Sequence, residues 1–158
     1  MSTLNMIGLN QEKTNELTHK MNILLASLQV YYQNLRGFHW NIKGRDFFEL
    51  HIKFEELYTV AQERIDEVAE RVLTLGNAPL HSFSDYLEVT KIDAVKSIND
   101  GETAVLSTRD SLKVLVLIER EVVKIASDLS DEGTLTLLTE MIQEQEKVIW
   151  MLNAWLNQ

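Results

Sequence analysis

Five side chains carry the chemistry open to this sequence. His39 and His51 lie in the stretch GFHWNIKGRDFFELHIKF, each among large aromatic residues, and Glu55, Asp66 and Glu70 follow. The chain has no cysteine, so any metal site must be built from imidazole and carboxylate. Placed on a helical wheel at about 100° per residue with Phe54 at zero, His51 falls at about 60°, Glu55 at about 100°, Asp66 at about 120° and Glu70 at about 160°. All four share one strip beside the apolar stripe. Thr59, Gln62 and Ala69 lie in the same strip, which carries neither Lys nor Arg. An ordinary solvated face mixes Lys and Arg among its acids. On the preceding helix His39 continues the line Leu25, Tyr32, so both histidines border one surface.

Distance restricts how these groups combine. His51 and Asp66 are about 22 Å apart along a helix, whereas metal–ligand bonds are about 2.0–2.2 Å. One ion cannot touch both within one chain. Either the two halves are unrelated, or the far half comes from another copy. A two-fold pair of antiparallel helices would bring His39, His51 and Glu55 of one subunit to Asp66 and Glu70 of the other, and would do so twice. Acid pairs four residues apart also arise by chance on any acidic helix, and a histidine between Phe38 and Trp40 also suits a buried, satisfied imidazole.

The elements that hold these groups are long helices. Leu17, Met21, Leu24, Leu28, Tyr31, Leu35 and Phe38 recur at steps of four and three, with Asn10 or Thr14 as the cap. Residues 41–44 interrupt this helix. Asp46 is placed to cap a second, whose stripe is Phe47, Leu50, Phe54, Leu57, Ala61, Ile65, Val68 and Val72, ending near Gly76 with Pro79 beyond. A short helix SDYLEV, capped by Ser84, is expected inside a long connection that Asp100-Gly101 closes. Leu115, Ile118, Val122, Ile125 and Leu129 mark a third long helix, which Asp131-Glu132-Gly133 ends. The fourth starts near Thr134 with Leu138, Met141, Val148, Leu152 and Trp155 inward. The expected fold is an all-α, ferritin-like four-helix bundle over residues 1–158, one domain, with one long crossover carrying a short extra helix.

Net charge is −9, which opposes general nucleic-acid binding and favours cations. No apolar run reaches the ~20 residues of a membrane span. The N-terminal segment has no basic region followed by an apolar one, so a cytoplasmic setting is expected.

The segment FHWNIKGRDFFELHIKFEELYTVAQERIDEVAE, residues 38–70, resembles the Dps family of mini-ferritins, and DEGTLTLLTEMIQEQEKVIWMLNAWL resembles that family's last helix. The resemblance spans nearly the whole chain. It implies a ferritin-like bundle assembled from two-fold dimers into a hollow shell of twelve subunits, with ferroxidase centres at the dimer interfaces. The iron ligands it implies are His39, His51, Glu55, Asp66 and Glu70, where Glu55 stands at a position that is often Asp. Trp40 matches the aromatic beside the centre, with packing and radical quenching as its implied roles. The implied reaction is oxidation of Fe(II) by hydrogen peroxide or dioxygen, followed by storage of ferric mineral. Acids near the start of the last helix, here Asp128, Asp131 and Glu132, would line the iron-entry pore; helix capping accounts for them equally well. Relatives that bind DNA often carry a basic tail. Residues 1–20 hold only Lys13 and Lys20 among Lys and Arg, so DNA binding is not expected. Glu16 to His19 spells Glu-x-x-His, but an intrasubunit di-iron site needs two such motifs and there is one.

Overall fold

A computed structural model describes residues 3–158. Five helices follow in order: α1 Gln11–Asn41, α2 Phe47–Thr74, α3 Phe83–Val89, α4 Gly101–Leu129 and α5 Glu132–Trp155. The four long ones form the expected bundle and α3 lies in the crossover. All seven residues of the first stripe are buried, and they meet Phe54, Val68 and Val72 of α2, Leu115 and Val122 of α4, and Leu138 and Met141 of α5 in one core. Phe47, Ile65, Ile125, Leu129, Val148 and Trp155 are only partly buried at its edge. On α4 the buried face also takes in Ala104, Val105, Thr108, Leu112 and Ala126.

Of the two cap candidates for α1, Asn10 is the one used, accepting from Lys13 N–H. The caps differ from expectation at two points. Ser82 caps α3 by accepting from Asp85 N–H, which displaces Ser84 from that role. Asp46 occupies the start of α2 but its side chain caps nothing. The turn before it instead relies on Gly44, whose φ of 113° is open to glycine.

The crossover is tied to α1 by small polar side chains in register. Asn77 donates to Asn15 and Thr18, and Leu80 N–H donates to Asn22. Further along, Lys91 N–H donates to Ser27, Asn34 donates to Asp93 C=O, and Lys43 N–H donates to Asn99 C=O. The chain therefore returns along the whole of α1 and starts α4 beside α1's end. Asp100 caps α4 through Thr103 N–H, which holds its carboxyl below the usual aspartate range.

Asp131 closes the last turn. It accepts from Thr134 N–H, and Arg71 of α2 donates to it at 2.6 Å and to Thr134 Oγ1 at 3.0 Å. Helix α5 thus begins at Glu132, and Gly133 belongs to its first turn. A Cβ there would come within 2.7 Å of the Arg71 guanidinium, so this glycine is clearance for an ion pair between helices. The clamp fixes the far end of α2, where Asp66 and Glu70 stand.

Candidate metal centre

His39 and His51 meet across the α1–α2 turn. Their rings stack 3.8 Å apart and 10° from parallel. Each Nδ1 reaches the other residue's backbone oxygen: His39 Nδ1 to His51 C=O at 2.6 Å and His51 Nδ1 to His39 C=O at 2.7 Å. A carbonyl only accepts, so both Nδ1 atoms carry the hydrogen. In the neutral form each ring then keeps an unprotonated Nε2 with a free lone pair. Such a second bond from the remote nitrogen orients an imidazole that ligates a metal through the other. Phe47 stacks on His51 at 5.0 Å, and Tyr58 meets His39 edge-on at 5.3 Å.

The three acids do not join them within the chain. Glu55, Asp66 and Glu70 are exposed on α2, and among the described residues no three His, Asp or Glu gather closely enough to hold an ion. Their neighbours behave differently. Glu56 pairs with Lys53 and Glu67 with Arg64, whereas none of the three strip acids takes part in an ion pair among the described residues. Thr59 and Thr74 turn their hydroxyls back onto their own helix, to Glu55 C=O and Glu70 C=O. The strip is acidic and uncompensated.

Three apolar residues on this strip had no place in the sequence argument. Phe48, Ile52 and Leu73 project at about 120°, 160° and 100° on the same wheel. They are 78%, 56% and 59% exposed. Their signal was available: large apolar side chains off the core stripe of an amphipathic helix call for a partner. Trp40 is 57% exposed, so it is not core filling within this chain, and the Arg36 guanidinium lies 4.7 Å from its ring. Asp131, a pore candidate by resemblance, is buried in the Arg71 clamp and the α5 cap, whereas Asp128 and Glu132 are exposed.

Comparison with known proteins gives the class first: residues 18–158 match the ferritin-like domain family. The chain is 39% identical, over 96% of its own length and 96% of the relative's, to the DNA protection during starvation protein of Porphyromonas gingivalis. It superposes with a TM-score of 0.96 on the Dps protein of Vibrio cholerae O1, described as one of the ferritin-like diiron-carboxylate proteins, at 47% identity and covering 99% and 98% of the two chains. The Dps protein of Bacillus brevis gives a TM-score of 0.89 at 34% identity, covering 92% and 97%. The chain belongs to the Dps family of ferritin-like proteins.

Proposed function

We propose that this protein oxidises Fe(II) at centres shared between two subunits and stores the ferric product inside a twelve-subunit shell, protecting its cell from peroxide. The observation that carries the reading is the reciprocal His39–His51 bonding, which leaves two free Nε2 atoms beside an acidic strip that lacks its own cations. Imidazole with carboxylate suits Fe(II), and the carboxylate oxygens favour the Fe(III) product.

The register of a two-fold pair supports the same reading. If two α2 helices run antiparallel about a point between Val60 and Ala61, Glu55 stands opposite the partner's Asp66. The same operation sets His51 opposite the partner's Glu70 and Phe48 opposite the partner's Leu73. One symmetry axis therefore completes two metal-ligand sets and covers the exposed apolar residues at both ends of the strip.

Iron is the substrate. His39, His51 and Glu55 hold it from one side and the second subunit's acids from the other. Glu55 reaches one methylene further than the aspartate common at that position. Two Fe(II) ions in one centre give two electrons to one hydrogen peroxide, which takes up two protons and leaves as two waters. No hydroxyl radical is released. A cytoplasmic setting accompanies this role.

The test is anaerobic Fe(II) loading followed by peroxide. His51→Ala and Asp66→Ala each abolish fast oxidation. Dimers mixing one subunit of each variant regain one of two centres, since the intact His51 and the intact Asp66 meet in one of them only. Homodimers that form while mixed dimers stay inactive would disprove the shared centre. A second reading is DNA compaction, and the Porphyromonas gingivalis relative is named for DNA protection during starvation. The net charge of −9 opposes it, and no DNA retardation is expected at physiological salt.

A further inference from the structure

A groove of about 270 Å3 opens between α2 and α5, on the flank of α2 away from the metal strip. On the wheel with Phe54 at zero, Leu57, Arg64, Lys53 and Val60 fall at about −60°, −80°, −100° and −120°. The strip of His51 and the three acids lies on the positive side. The groove walls are apolar: Leu57 and Ala61 of α2, Val148 and Met151 of α5, with Leu28 and Leu112 behind them. Past Lys53, Val148 and Met151 it continues into a further space of about 140 Å3 beside Leu50 and Trp155.

The polar atoms at the floor of this groove are unsatisfied. Gln145 lines it and is 7% exposed, and Glu119 of α4, bonded to Gln145, is fully buried. Gln145 Nε2 donates to Glu119 Oε1 at 2.7 Å, but Gln145 Oε1 and Glu119 Oε2 have no partner among the described residues. Burial pushes the Glu119 carboxyl up to about 8, so it is protonated at neutral pH. Its hydrogen sits on Oε2, because Oε1 already accepts. One buried acceptor and one buried donor therefore stand unpaired side by side, an arrangement that native interiors avoid. The charges at the rim are largely spent on each other: Lys53 pairs with Glu56 and Arg64 with Glu144, while Lys147 is exposed to screening solvent.

We propose that this groove is a binding site for a small neutral phenol, its ring held between α2 and α5 and its hydroxyl at Gln145 and Glu119. Apolar walls with a few convergent polar atoms are the usual form of a small-molecule site. A hydroxyl both donates and accepts. Once the Gln145 side chain tilts toward the groove, the hydroxyl donates to Gln145 Oε1 and accepts from Glu119 Oε2. A carboxylate would only accept and an ammonium would only donate, so either leaves one atom unpaired. A flat ring suits a slot between two helices, and the Met151 thioether in the wall favours an aromatic face or edge. A short apolar substituent opposite the hydroxyl extends toward Leu50 and Trp155.

Isothermal titration calorimetry compares 4-ethylphenol with ethylbenzene, which has the same ring and substituent and no hydroxyl. Wild type binds one 4-ethylphenol per chain, about tenfold more tightly than ethylbenzene, as one buried and otherwise unmet hydrogen bond allows. In Gln145→Leu that preference disappears while ethylbenzene still binds, which also shows that the variant is folded. In protein carrying methyl-labelled methionine, 4-ethylphenol shifts the nuclear magnetic resonance signal of Met151, the one missing from Met151→Leu. Equal affinity for the two compounds in wild type overturns the proposal. So does a preference that persists in Gln145→Leu, or binding that leaves the Met151 signal unmoved. Absence of 4-ethylphenol binding overturns it as well, and makes water the partner of the two buried atoms. None of these outcomes bears on iron oxidation at the opposite flank of α2.

Discussion

Glu119 shows what a single carboxyl does when a helix buries it completely. It is 0% exposed on α4, and it accepts from Gln145 Nε2 at 2.7 Å. Its Oε2 and the Gln145 Oε1 are buried without a partner among the described residues. Arg64, Arg120 and Glu144 lie around it. Burial outweighs the Gln145 bond and the two guanidinium groups and pushes its carboxyl up to about 8. The same burial, aided by Glu119 and Glu144, raises the Tyr31 hydroxyl well above its usual range. The native state therefore holds a proton on Glu119 that the unfolded chain releases near the ordinary glutamate value of 4.5. Stability from this group is complete below that value and is lost as pH rises through about 8, on the order of a few kcal/mol in all. Melting temperature across pH 5–9 should fall in wild type. In Glu119→Gln, which cannot ionise, that part of the decline should vanish, leaving the variant the more stable protein at pH 9.

At the scale of elements, the packing of α2 against the α4–α5 turn depends on Arg71. Asp131 is buried and also caps α5, so removing Arg71 strands a carboxylate that has little water. Arg71→Met should cost about 2–3 kcal/mol, below the full value for a buried pair because the guanidinium is partly exposed. Adding Asp131→Asn should recover part of the loss, since it removes the stranded charge and keeps an oxygen to cap Thr134. Chemical denaturation of the single and double variants measures both. If the double is worse than the single by a full cap's contribution, the charge is not what Arg71 compensates. Gly133→Ala should act in the same direction as Arg71→Met, because its methyl would occupy the space of the guanidinium.

For the whole molecule the question is what covers the α2 face. Phe48 and Leu73 are the apolar ends of that face and carry no ligand atoms. Phe48→Glu with Leu73→Glu should place like charges opposite each other across the two-fold axis. We expect the double variant to sediment as a folded monomer and to lose fast Fe(II) oxidation by on the order of tenfold or more, with all five proposed ligands intact. A variant that remains assembled and active would refute the register. No helix among the described residues is long and apolar enough to cross a membrane.

The sequence by itself determined the bundle. Periodicity at 3.6 residues located four long helices because an apolar stripe must be buried along its whole length, and it separated the α2 strip from the core because an angle on a helix follows from residue number alone. It also excluded a one-chain site joining His51 to Asp66, since helix rise is fixed by backbone geometry. Only the tertiary structure decided how the histidines are held: two imidazoles trading bonds with each other's backbone depends on the path of the turn at Gly44. Nor could spacing reveal that the crossover is pegged to α1 through Asn15, Asn22, Ser27 and Asn34, that Asp131 is spent on Arg71, or that Tyr58 touches His39. Each of these joins residues distant in the chain, and local pattern carries no information about a contact whose partner is set by packing.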